Sequence, residues 1–295
     1  MYTCGMRNIQ FFVDSCDPAD TQKAKKLLGM IHGQTTNPTL LKKNPDIQRY
    51  LAQGKRLLSA DLLKMYKDAI KSIATYTDGA ISVEVYADWD TTAQDLVKQA
   101  ENMRDWARNI YIKFPTIPEG LKAANEFTRA GGHVNMTLVF DQSQAAAVYS
   151  ATRSAQGVSF ISPFVGRWDD RGFFGLDVIR NIRQMYDKFG AIRGVSQCHV
   201  EILAASIRTL DQIHGAIAYG ADIITAPISA FQAWVDAGSE KSPIAPIRPT
   251  TLRPLEYQEL KYQEDFSLYA IDTDVEGLLH QGLMRFVKDW KSVVE

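Results

Sequence analysis

Cysteine is scarce in this 295-residue chain. Its three residues, Cys4, Cys16 and Cys198, are scattered, odd in number and without CxxC spacing. That supports neither a disulfide framework nor a zinc knuckle, and it suits a reduced, cytoplasmic protein. An excess of one charge is missing too: 33 Lys and Arg stand against 34 Asp and Glu. The composition therefore carries no footprint for nucleic acid or a membrane surface, and any anion site must be local. No apolar run approaches the ~20 residues that span a bilayer, and the opening MYTCGMRNIQFFVDS lacks the apolar core of a signal peptide. After the first strand-like stretch stands VDSCDPAD, not a glycine-rich phosphate loop, which counts against a doubly wound nucleotide-binding sheet. Histidines at i, i+4 and facial-triad spacing are also lacking, so neither a metal nor a cofactor is expected.

What remains is the composition of an ordinary globular protein, 45% hydrophobic and 23% charged. Strand-like runs are QFFVDS (10–15), MIHGQTTN (30–37), AISVEVY (80–86), NIYIKFP (109–115), HVNMTLVF (133–140), VSFISPFVG (158–166), QCHVEILAAS (197–206) and DIITA (222–226). Helical stretches fall between them, at about 18–29, 46–77, 91–108, 119–129, 143–152, 176–189 and 209–219. About eight strand–helix alternations predict a (β/α)8 TIM barrel over roughly 8–230, within one domain of 1–295. The tail from about 231 breaks the pattern. A proline-rich connection covers 239–256, and an additional C-terminal helix is expected over 274–293. Its apolar face is Val275, Leu278, Leu279, Leu283, Phe286, Val287 and Trp290, packed across the barrel or against a neighbouring subunit.

The only charge in NIYIKFP is Lys113. Among apolar neighbours an ammonium is costly to bury, so its pKa should fall and the free amine become accessible. A neutral amine on a strand is what Schiff-base chemistry requires; the alternative is a lysine whose head reaches water. Strand alternation puts Lys113 with Tyr111, Asp14 with Phe12, Thr35 with Asn37, Glu84 with Ser82, Asn135 with Thr137, Ser162 with Phe160 and Phe164, and Ser206 with Ala204, ahead of Arg208. Seven consecutive strands thus offer an inward polar group late in the strand. Buried polar groups cost stability unless partnered, so seven together favour a site over isolated structural hydrogen bonds.

In FFVDS, TTNPTLL, SVEV, IYIKFP, HVNMTLVF, FISPFVGR and AASIRT, in this order, the chain resembles the transaldolase family of class I aldolases. The likeness covers roughly 8–230, and the last helix is compatible with it. The resemblance implies a lysine Schiff base on Lys113, with Glu84, Thr137 and a water moving protons and Asp14 as the acid–base group at the cleaved bond. It further implies Asn37 and Asn135 on the dihydroxyacetone hydroxyls, and Arg167 and Arg208 clamping the phosphate. Ser162, Ser206, Thr35 and Phe164 complete the pocket. Glu84 and Phe164 look like transaldolase, where the similar fructose-6-phosphate aldolases usually carry glutamine and tyrosine. The implied partners are sugar phosphates, the setting the pentose phosphate pathway, and the assembly a homo-oligomer.

Phe114, Ile207, the segment WDDRGFFG and residues 239–264 depart from the family pattern. They leave room for a sulfonated or longer-chain sugar. Two rivals stand beside this reading. One is a metal-dependent enzyme using His199 and Glu201 on one strand face; the other is a non-catalytic sugar-phosphate-binding barrel, which would have no need of Lys113, Glu84 and Asp14 together.

Overall fold

The computed structural model describes residues 9–195, 198–239, 245–272 and 277–295. Eight parallel strands close into a barrel in sequence order: β1 (Gln10–Asp14), β2 (Gly33–Thr35), β3 (Ala80–Glu84), β4 (Ile110–Pro115), β5 (Val134–Val139), β6 (Ser159–Pro163), β7 (Val200–Ala204) and β8 (Ile223–Ala226). Twelve helices lie among the described residues: α1 (Pro18–Leu28), α2 (Pro38–Lys42), α3 (Pro45–Leu51), α4 (Ser59–Ile73), α5 (Ala93–Met103), α6 (Pro118–Arg129), α7 (Gln142–Ala151), α8 (Val165–Asp169), α9 (Leu176–Arg193), α10 (Leu210–Ala218), α11 (Ile228–Asp236) and α12 (Leu278–Lys291). The fold is the expected (β/α)8 barrel with a C-terminal helix.

Several helix starts follow directly from side-chain oxygens that satisfy first-turn amides. Asp17 caps α1 through Ala19 N, and Thr92 caps α5 through Asp95 N. Asp141 with Gln144, and Thr209 with Gln212, form reciprocal capping boxes at α7 and α10.

Five boundaries differ from expectation. Asn37-Pro38 starts α2, because a capping Asn followed by Pro at the first helical position opens a helix as well as ending a strand. The 46–77 segment holds two helices, α3 and α4, as its length allows, but 52–58 lies outside both. Strand six stops at Pro163 and VGRWD becomes α8. Gly190 does not end α9; the helix continues to Gly194, which takes φ 65°. Beyond 231 the chain still holds α11 up to Asp236. Gln197 and Val275 lie outside the described residues, and α12 begins at Leu278.

Inside the barrel, Phe12, Phe160, Leu203 and Ile223 form an apolar floor, with Tyr111 stacked on Phe160 at 4.2 Å. Alternation then delivers the residues two positions later to the C-terminal mouth, where such barrels carry their sites. In strand seven the expected face is wrong. Leu203 and Ala205 pack inward on Phe12 and Phe160, while Ala204 belongs to the outer core. His199 and Glu201 do not share a face either: His199 packs edge-on against Tyr149 at 4.5 Å, and Glu201 acts electrostatically on inward Tyr111.

Helix α12 crosses the mouth of its own barrel. Thr39 Oγ1 donates to Asp289 at 2.5 Å, Lys42 pairs with the same carboxylate at 3.3 Å, and Trp290 packs on Tyr86. Beneath it β5 carries a bulge: Met136 pairs with Ile161 and Val139 with Pro163, so two residues oppose one. Leu138 takes φ 60° there and its side chain fits under Gly282, where an added Cβ would stand 2.8 Å from Leu138 Cδ2.

Gly33 is equally constrained. A Cβ there would meet the Ala80 carbonyl oxygen at 2.4 Å and the Phe12 ring at 2.6 Å. Gly33 and Ala80 are paired across β2 and β3, so neither can retreat without opening the ladder. Gly33→Ala should cost about 1–3 kcal/mol, the range for overpacking, read as a lower urea midpoint; an unchanged midpoint would show that the barrel wall yields there.

Candidate active site

Strand pairing builds the centre of the site. Glu84 is in register with Lys113, and Lys113 with Asn135. Neighbouring strands lie about 4.8 Å apart, so residues in register on one face stand side by side. The result is a buried row. Lys113 Nζ lies 3.0 Å from Glu84 Oε2 and donates to the Thr36 carbonyl oxygen at 3.1 Å, with both ionic side chains almost wholly inaccessible. The ammonium is therefore not isolated among apolar groups, as the strand composition suggested; a carboxylate and a carbonyl oxygen hold it.

The Thr36 carbonyl is itself pinned. Thr36 Oγ1 donates to the Ser82 carbonyl oxygen at 2.7 Å and meets the Tyr66 hydroxyl. With the Thr36 proton committed, Tyr66 is the donor in that contact. Tyr66 Oη in turn accepts from Glu84 N at 3.0 Å. Tyr66 sits on α4, and nothing in its sequence context marked it.

Burial raises the Glu84 carboxyl to about 7; the Lys113 charge opposes this and Asp14 adds to it. Asp14, at the end of β1, is raised too. Burial is again the main cause, opposed by Lys113, by the Thr35 hydrogen bond and by Lys43. Thr35 Oγ1 donates to Asp14 Oδ1 at 2.8 Å and so accepts from Thr225 Oγ1 at 2.5 Å. Thr225 was missed because β8 reads only as IITA, one threonine in a short apolar run.

Next to Lys113, Asn135 donates from Nδ2 to Ser82 Oγ at 3.0 Å and accepts at Oδ1 from Ser162 Oγ at 2.7 Å. One amide hydrogen and one oxygen lone pair remain for a ligand. Thr137, two residues on, is fully buried, and its Oγ1 has no hydrogen-bond partner among the described residues. Asn37 spends its Oδ1 capping α2 on Leu40 N at 2.9 Å, which leaves its amide NH2 for other work.

A cavity of about 210 Å³ opens above this row. Nine of the twelve expected residues line it: Asp14, Thr35, Asn37, Lys113, Ser162, Phe164, Arg167, Ser206 and Arg208. Glu84 and Asn135 stand behind it through their bonds to Lys113 and Ser162, and Thr137 is likewise off its wall. Ser206 does not arrive by strand alternation. It reaches the cavity because the chain turns after Ala205, with Ser206 at φ 57°. Lys43, Arg285 and Phe286 also line the wall. Sequence spacing could not place them, since they come from the end of α2 and from α12.

The two expected arginines converge through a close backbone approach. Gly166 N donates to the Ser206 carbonyl oxygen at 3.2 Å, and a Cβ on Gly166 would fall 2.6 Å from both that oxygen and Arg208 Nε. Arg208 makes a two-pronged pair with Asp170, at 2.7 and 2.8 Å. Burial, helped by the charges of Arg285 and Arg208, lowers the Arg167 pKa from its ordinary value, while Asp170 opposes the shift.

The family described as Transaldolase/Fructose-6-phosphate aldolase matches residues 11–295. The chain belongs to that family. The match extends well past 230, through the 239–264 segment that departs from the family motifs and through the last helix. A probable transaldolase from Ruegeria sp. (strain TM1040) is 36% identical over 228 residues, 77% of this chain and 89% of its own. Another, from Rhizobium meliloti (strain 1021), is 35% identical over 227 residues, with the same coverage. Among solved structures, a thiamine phosphate pyrophosphorylase from Pyrococcus furiosus overlaps at TM-score 0.47 and 12% identity, covering 80% of this chain and 94% of its own.

Glu84 has a measurable consequence. Its carboxyl is raised from 4.5 to about 7 on folding. Between those values the folded chain holds a proton that the unfolded chain has released, so stability falls as pH rises. Relative to Glu84→Gln, the native chain should lose up to about 3 kcal/mol across that window in urea titrations. A flat difference would remove Glu84 as the titrating group.

Proposed function

We propose that the chain is a transaldolase acting through a Schiff base on Lys113. It would move a dihydroxyacetone unit from a ketose phosphate, fructose 6-phosphate or sedoheptulose 7-phosphate, to an aldose phosphate. The observation that carries this reading is the buried Lys113–Glu84 pair beneath a cavity rimmed by arginines.

A carboxyl raised to about 7 is a stronger base than an ordinary carboxylate, and at 3.0 Å from Lys113 Nζ it is placed to take the ammonium proton. The freed amine attacks the ketone carbon and forms a carbinolamine. Once a proton has passed from the nitrogen to the new alkoxide, Glu84 gives its proton to the departing hydroxyl, which leaves as water, and the iminium (protonated Schiff base) forms. The unpartnered Thr137 Oγ1 supports a role in holding that water. Asp14, a stronger base for being buried, takes the proton from the hydroxyl beside the bond to be cleaved. The carbon–carbon bond breaks, the aldose leaves and the pair of electrons rests in an enamine on Lys113. The remaining amide hydrogen of Asn135 and that of Asn37 suit the hydroxyls of the retained unit. The enamine carbon then adds to the acceptor aldehyde, Asp14 returns its proton to the new alkoxide, and water hydrolyses the resulting iminium, freeing the new ketose and the Lys113 amine.

Arg167 and Arg208 take the phosphate, with Ser206 beside them and Ser162, Thr35 and Phe164 shaping the wall. No cofactor enters these steps. Retention of the enamine for an acceptor separates this reaction from that of a fructose-6-phosphate aldolase, which protonates and releases it. Glu84 and Phe164, by their resemblance, favour the transferase. A cytoplasmic homo-oligomer in sugar-phosphate metabolism belongs to the same proposal.

Borohydride trapping tests it. After incubation with fructose 6-phosphate and reduction, the added mass should lie on Lys113 and be absent from Lys113→Ala. With erythrose 4-phosphate present, sedoheptulose 7-phosphate should accumulate. An adduct without transfer would make the chain an aldolase, and no adduct with any ketose would end the Schiff-base reading. A sulfonated ketose outperforming fructose 6-phosphate in the same assay would move the substrate to the modified-sugar class.

A further inference from the structure

Besides the two arginines of the phosphate clamp, the cavity wall holds two further cations, Lys43 and Arg285. Arg285 projects from α12 onto the same wall as Arg167 and Arg208. Its position is fixed by the helix rather than by a partner of its own. Gly282 rests on Leu138, Phe286 is buried, and Trp290 packs on Tyr86. The ion pair from Arg285 Nε to Asp289 is long, 3.9 Å, and Asp289 is already engaged by Thr39 and Lys42 at 2.5 and 3.3 Å. Arg285 is close enough to Arg167 to oppose its charge. Three guanidiniums thus face one cavity, and Asp170, the carboxylate paired at the rim, is committed to Arg208.

An excess of cationic charge at one rim suits a doubly charged head group better than a singly charged one. A phosphate monoester carries about −1.5 to −2 near neutral pH, whereas a sulfonate carries a single charge. We propose that Arg285 is a third arm of the anion site and that it sets the preference for a dianionic head group over a monoanionic one. The inference rests on the sugar-phosphate reading and names the charge class of its substrate. It also gives α12 a share in the site. The helix closes the mouth and brings the charge that the barrel strands do not supply.

Binding can be read without any turnover. Methyl phosphate and methanesulfonate are two probes that differ mainly in charge at about pH 8. Their affinities would be measured by calorimetry on the native chain and on Arg285→Gln and Arg285→Lys, at one fixed low ionic strength because exposed charge pairs are screened. Arg285 is half exposed, so the variants should fold, and circular dichroism checks this. The expected result is about tenfold weaker methyl phosphate binding in Arg285→Gln, the scale of one charge-assisted hydrogen bond in a partly solvated site. Methanesulfonate should change by less than about threefold, and Arg285→Lys should recover part of the loss. In turnover, the loss should appear as a higher KM for phosphorylated ketoses.

Equal losses for both probes would overturn the charge preference. Unchanged methyl phosphate binding would remove Arg285 from the site altogether. Because neither probe has a carbonyl, a failed Schiff-base trap and a failed Arg285 effect are separate results. If Schiff-base trapping fails while the charge preference holds, the anion site stands and the chemistry falls.

Discussion

A lysine ammonium and a glutamate carboxylate buried side by side dictate much of what surrounds them. Taking each ion out of water costs several kcal/mol, and mutual attraction offsets that only with good geometry and further hydrogen bonds. Here the geometry comes from strand register, which sets Glu84 beside Lys113. The further hydrogen bond comes from the Thr36 carbonyl, held in turn through Thr36 Oγ1, Ser82 and Tyr66. A slip of one residue in β3 or β4 would turn one member of the pair outward. Tyr111 guards β4 against that, since the same slip would turn its ring away from the stack on Phe160. Structure and chemistry therefore draw on one constraint: a barrel wall rigid enough to hold an ion pair where water is excluded.

Much of this was legible in the order of residues. Alternation is a local property, so the inward polar sets of the early strands, Asp14, Glu84, Lys113 and Asn135 among them, could be named from parity alone. Parity failed where the chain leaves the strand. Ser206 reaches the cavity through a turn at positive φ, and β7 presents Leu203 and Ala205 inward instead. The bulge in β5 lies in HVNMTLVF, a run that reads as unbroken strand; only its pairing with β6 shows the extra residue.

What sequence spacing could not show depends on contacts between distant segments. Tyr66 supports the pair from α4, Thr225 completes the Asp14 network from β8, and Arg285 arrives from α12. Each is a polar residue in an ordinary amphipathic helix or apolar strand, where a solvated or packed role is the usual one. The Lys113 expectation shows the same limit in reverse. Its strand neighbours are apolar, but the groups that decide its electrostatics sit on β3 and after β2. Local composition described the strand and not the environment of its side chain.

The distribution of exposure across the site has a physical logic. The groups proposed to exchange protons with one another, Lys113 and Glu84, are shielded, so small shifts in geometry have large electrostatic effects. The arginines proposed to catch and release an anion sit at the rim. Arg208 remains half exposed and rests on Asp170. A deeply buried guanidinium would hold an anion too tightly to release it and would itself need a permanent counter-ion. Resting on an exposed carboxylate costs Arg208 little, because solvent screens that pair, and an incoming dianion can compete for it. On the proposed mechanism the barrel keeps a buried proton-transfer layer beneath a more exposed capture layer. Helix α12, anchored on β5 and α2 yet bearing Arg285 over the cavity, joins the two.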